Sequence, residues 1–119
     1  MVISSHSRLI AIAVVLFVVA GCSTSDWVPL SVVKRDSAVG GGKVLIITNT
    51  SDSPLHENVI EIHAPNGKKF GPLCYSVTLG PHETIEIGWA ELNGWMIEKG
   101  ETVYLSSKGY LTKRAIKID

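Results

Sequence analysis

Hydrophobic and polar positions divide this chain into two regimes. From Leu9 to Ala20 every side chain is apolar, and no charge follows until Asp26. Beyond that point apolar residues come in short runs separated by turn residues, and several runs alternate with period two, the repeat of a strand with one buried face. Trp27–Val33 reads as a first strand, confined to a sheet edge because Pro29 cannot donate to a ladder. Lys34–Gly42 reads as a loop ending in three glycines. In Lys43–Asn49, the run Val44-Leu45-Ile46-Ile47 is apolar on both faces, which predicts a strand covered on both or packed on a partner. Thr50–Pro54 is a turn cluster, and Asn58–His63 then alternates, with Ile60 and Ile62 on one face and Val59, Glu61 and His63 on the other.

Pro65-Asn66-Gly67 predicts a tight turn into a short return strand, Lys68–Phe70, broken at Gly71-Pro72. Cys74–Leu79 is a further strand. Glu83–Trp89 follows Gly80-Pro81, with Ile85, Ile87 and Trp89 sharing the core face. Ala90–Ile97 is irregular, with Asn93-Gly94 as a hairpin turn or the first residues as one helical turn. In Glu101–Ser106, Val103 and Leu105 point inward and Thr102 and Tyr104 outward; Tyr110–Ile118 closes the chain after Lys108-Gly109. Helical periodicity never lasts three turns, and strand-like runs recur roughly every 8–16 residues. The expectation is an all-β domain over 27–119, a seven- or eight-stranded antiparallel β-sandwich.

Met1–Arg8 carries Arg8 and no acidic residue, then comes the apolar run, then small residues. That order is the grammar of a secretory signal, and the run is shorter than the ~20 apolar residues a bilayer span requires. Val19-Ala20-Gly21-Cys22 resembles the lipobox of bacterial lipoproteins. The resemblance implies a signal peptide over 1–21, acylation of Cys22 and cleavage before it, with residues 22–26 as lipidated cysteine and tether. It implies a membrane partner and an address in the cell envelope. Ser23, where an aspartate resembles an inner-membrane retention mark, favours the outer membrane of a didermal host. Several buried acyl chains hold stably, since each methylene contributes about 0.8 kcal/mol. The tether of four residues before Trp27 reaches some 14 Å.

Composition narrows the choices. Without residues 1–21, 98 of 119 residues remain, enough for one small domain. Eleven Lys and Arg balance eleven Asp and Glu; with Arg8 lost, ten face eleven, leaving no basic face to predict for nucleic acid and no cationic cluster for lipid heads. With Cys22 acylated, Cys74 has no partner in the chain; it is a buried small hydrophobe, an intermolecular disulfide or a reactive thiol, and Leu73, Tyr75 and Val77 favour burial.

The strand pair Val44–Thr50 and Val59–Ile62 resembles the second and third strands of immunoglobulin-like modules in exported bacterial proteins. It departs from true immunoglobulin domains in lacking a cysteine pair and a tryptophan on the third strand, so the resemblance supports a layout and no ligand.

Candidate chemistry is sparse. Gly40-Gly41-Gly42-Lys43 is not a phosphate loop, because Ser37 stands where glycine is required and Val44 where Ser or Thr is. His56, Glu61 and His63 form a conceivable surface metal site. Glu83 and Glu86 point to opposite faces, Glu57 and Glu61 lie about 13 Å apart along one strand, and no nucleophile elbow is present. No cofactor and no catalytic residue is therefore expected. Asn49-Thr50-Ser51 matches a glycosylation triplet by coincidence. Trp95 and Tyr104 are the surface aromatics expected to grip a partner. Two functions follow: a non-catalytic envelope module that binds or scaffolds another envelope protein or a cell-wall component, or a periplasmic binder of metal or small ligand.

Overall fold

The computed structural model describes residues 27–119; the predicted leader, Cys22 and the tether up to Asp26 lie outside the described residues. The described chain forms β1 (Leu30–Asp36), β2 (Lys43–Asn49), β3 (Leu55–His63), β4 (Lys69–Leu79), β5 (Thr84–Ile87), β6 (Thr102–Ser106) and β7 (Arg114–Lys117). Two sheets result, in the orders β1-β2-β5 and β4-β3-β6-β7, and every pairing is antiparallel. With no helix among the described residues, the fold is all-β and consistent with a β-sandwich.

The core is the meeting of two alternating faces. Leu45 and Ile47 of β2 and Ile87 of β5 join Ile60 and Ile62 of β3 and Val103 and Leu105 of β6 in one buried cluster. Truncating any one of these to Ala costs about 2–5 kcal/mol. β2 spans the predicted Lys43–Asn49, and the inward and outward sets predicted for Asn58–His63 and for Glu101–Ser106 hold in β3 and β6. The inner face of β2 is buried at Leu45 and Ile47, whereas on the outer face Val44 is buried and Ile46 and Thr48 are half-buried.

Several elements differ from expectation, β3 starting already at Leu55 and β5 ending at Ile87 before Trp89. β1 starts after Pro29, runs through Asp36 into the predicted loop, and is an edge strand paired only with β2. The break expected at Gly71-Pro72 is absent, because β4 runs as one strand along the open edge beside β3. An edge strand has one neighbour, so a residue without N–H is tolerated there. Register shifts opposite Asn58/Val59 and Ile60/Ile62 absorb the extra residues of β4. Gly71 is required at φ 84°, where a Cβ would stand 2.6 Å from the Ile60 carbonyl oxygen. Finally, β7 is shorter than Tyr110–Ile118.

Antiparallel order gives the domain two poles. The N-terminal pole gathers Trp27, the 50–54 turn, the 80–83 turn and the 107–113 hairpin. Asn49 closes it: its Nδ2 donates to the carbonyls of Ser53, Leu79 and Gly80, and its Oδ1 accepts from the Ser51 backbone N–H and hydroxyl. The opposite pole holds the 37–42 loop, the 64–68 turn and the long connection from Gly88 to Glu101. Strand β2 separates the poles by about 20 Å.

Candidate functional site

A hollow of about 310 Å³ opens at the opposite pole, on the outer face of the three-stranded sheet. Its floor includes Val44, Arg35 and Glu86; its walls are Ala38 and Val39 of one loop and Trp89, Ala90 and Glu91 of another. Local sequence explains the walls. β5 ends at Ile87, and the Glu91 carboxylate accepts the Gly88 N–H at 2.6 Å while the Glu91 N–H donates back to the Gly88 carbonyl. The chain turns at once, so Trp89 leaves the period-two face and Leu92 fills the core in its place. The Trp89 indole Nε1 then donates to the Val39 carbonyl at 2.8 Å, tying the two loops together. Gly40, at φ 82°, makes this approach possible: a Cβ there would lie 2.9 Å from Trp89 Nε1.

The hollow combines an aromatic ring, apolar walls and charge. Arg35 and Glu86 form an ion pair on its floor, both partly exposed, and the Ser37 hydroxyl is engaged with the Val39 carbonyl. An apolar pocket with a few convergent polar groups is the ordinary form of a small binding site. Alternation places Trp89 on the core face, so the local pattern hides this site; the glycine before the tryptophan, where a Cβ would crowd Val44, is the one local signal of it.

The residues singled out from sequence fall elsewhere. Trp95 is half-buried against the core, with its ring 5.7 Å from that of Phe70 and its Nε1 donating to Glu101 Oε1. Tyr104 lies on the outer face of the four-stranded sheet with its ring 4.9 Å from that of His63. His63 Nε2 sits 2.6 Å from Glu61 Oε2, and Lys113 Nζ approaches the other oxygen at 3.7 Å. The His63 hydrogen bond, helped by Lys113, holds the Glu61 carboxyl below its ordinary value, against a smaller opposing effect of burial. His56 stands at the other end of β3 and contacts Thr78. The structure thus brings together two of the three metal candidates, and no group of three or more His, Cys, Asp or Glu suited to a metal occurs among the described residues. Cys22 lies outside the described residues.

Cys74 reverses its expectation. It pairs with Val59 while Leu73 pairs with buried Ile60, so the thiol takes the outer face and is exposed. Its neighbour Tyr75 turns inward, where burial pushes the phenol well above its ordinary value. Asn49 of the glycosylation triplet is fully buried, with its amide occupied. No protein-family model, no curated protein and no solved structure matches the chain.

Proposed function

We propose that this chain is a lipid-anchored lipoprotein of the bacterial cell envelope, held by acylated Cys22, and that its domain is a non-catalytic module binding another envelope protein or a cell-wall component. The observation that carries this is the apolar run closed by Val19-Ala20-Gly21-Cys22. The strand orders β1-β2-β5 and β4-β3-β6-β7 support the finer reading of the domain as immunoglobulin-like. Polarity supports the binding role. A lipid on Cys22 would lie on the side of the N-terminal pole, where the described chain starts at Trp27, and the Trp89 hollow lies at the far pole. In a didermal host that leaflet belongs to the outer membrane, because Ser23 follows the lipidated cysteine.

Membrane fractionation tests the anchor: Cys22→Ser abolishes retention of the mature chain on membranes, and unchanged pelleting with normal leader processing refutes it. A photocrosslinker at Val39, on the rim of the hollow, tests the module. It captures a defined envelope neighbour in wild-type cells and loses it in Trp89→Ala. A second reading, a periplasmic small-ligand binder, is favoured by the modest volume of the hollow and by the Glu61–His63 contact. Zinc or copper binding tighter than about 10 μM, abolished by His63→Ala, marks that reading.

A further inference from the structure

The N-terminal pole carries two large apolar side chains that nothing among the described residues covers. Trp27 is 64% exposed and Leu111 86% exposed. Neither is on a free end. Trp27 forms a parallel bridge with Thr112, the neighbour of Leu111, which brings the first described residues beside the last hairpin. Val28, next to Trp27, is buried in the core, and Tyr110, next to Leu111, packs against it. Each of the two side chains is therefore presented by fixed backbone at the same pole. Full burial of a leucine side chain alone contributes about 1.5–3 kcal/mol, so an occupant that covers this patch gains substantially.

What covers it follows from the position of the patch in the chain. Trp27 is the fifth residue after Cys22, and five residues span at most about 17 Å. An acylated Cys22 holds Trp27 within that distance of the lipid headgroups. Trp sits at membrane–water interfaces, with its ring in the apolar zone and its N–H in the wet one. The same hairpin carries Lys108, Lys113 and Arg114. Lys108 and Lys113 are shared with Glu57 and Glu61, whereas Arg114 has no ion-pair partner among the described residues and is free for an anionic headgroup.

We propose that Trp27 and Leu111 seat the N-terminal pole in the lipid surface, so that the domain stands upright on its anchor with the Trp89 hollow about 20 Å above the leaflet. This deepens the lipoprotein reading and rests on it. The lipid anchor then does more than retain the protein: with a second point of contact it sets the orientation of the binding pole.

Acylated full chain, purified and reconstituted into phosphatidylethanolamine–phosphatidylglycerol vesicles with brominated acyl chains, provides the test. The protein floats with the vesicles, and the emission component that Trp27→Phe removes loses most of its intensity to the bromines. Trp89 and Trp95, at the far pole, keep theirs, and Leu111→Ser weakens the quenching without releasing the protein from the vesicles. Flotation with unquenched Trp27 overturns the seating and leaves the anchor standing. Failure to float, with Cys22→Ser indistinguishable from wild type, overturns the anchor and the seating together. Shielding of Trp27 that follows protein density on unbrominated vesicles assigns the patch to a second copy, and shielding only in native membranes assigns it to a protein partner. Either result overturns the proposal.

Discussion

The two poles of this domain are built on opposite principles. At the N-terminal pole, buried asparagines tie the turns: Asn49 joins the 50–54 and 80–83 turns, and Asn58 bonds the carbonyls of Leu55 and Ser76 and the Ser107 hydroxyl. At the opposite pole, glycines let the 37–42 loop lie close against Trp89, Met96 and Ile97, and the Trp89 indole bond to Val39 joins the Lys43 N–H bond to the Ile97 carbonyl in linking the two loops. The first pole resists deformation because a lost bond there orphans buried polar atoms. The second gives a concave, half-open surface because the Val39 and Trp89 loops stand as walls above Val44. Side-chain amides close the first pole, and an indole shapes the hollow of the second.

Breaking the rigid pole has the largest effect. Asn49→Ala takes the amide donor from the buried Leu79 carbonyl and one of two donors from each of the Ser53 and Gly80 carbonyls, and costs about 2–3 kcal/mol, read as a lower urea midpoint at unchanged slope. If Asn49→Ala costs no more than Trp89→Ala, the contrast between the poles is wrong. Gly40→Val ranks next, at about 1–3 kcal/mol, because a β-branched residue must adopt a left-handed backbone and collide with Trp89. Its sharper signature is the near-ultraviolet circular dichroism of a displaced indole. Trp89→Ala costs about 1 kcal/mol and, on the proposed function, removes crosslinking from Val39 to a neighbour, since the half-buried ring serves the hollow more than the core.

Acid sensitivity is the smallest effect, and it lies on the sheet face between the poles. The folded Glu61 carboxyl titrates below its unfolded value, so its stabilisation is present above the unfolded value and is lost as pH falls through the folded one. Urea midpoints between pH 6 and pH 3 therefore fall less steeply in Glu61→Gln than in wild type. Parallel curves would mean that the His63 contact carries no stability.

Most of the strand content was legible because alternation reports burial directly. Lys43–Asn49 emerged with its observed limits, and the faces of β3 and β6 followed from Ile60, Ile62, Val103 and Leu105. Alternation failed where a strand ended or slipped. Trp89 kept the rhythm of Ile85 and Ile87 on paper, but the turn at Gly88 moved it outward, while Trp95, expected outside, packed beside Phe70. Cys74 went to the surface because its partner Val59 faces outward, a fact of register that its own neighbours do not encode. The candidate site was for the same reason almost invisible: its walls come from two loops about fifty residues apart.

The sequence by itself determined the all-β class, the positions of the main strands and the apolar run closed by Val19-Ala20-Gly21-Cys22, because each depends on residues close together in the chain. Only the tertiary structure decided the two-sheet order, the pairing of Trp27 with the hairpin at Thr112 and the hollow between Val39 and Trp89. These arise from contacts between distant segments, where turn geometry and register choose among arrangements that the local pattern leaves equal in energy.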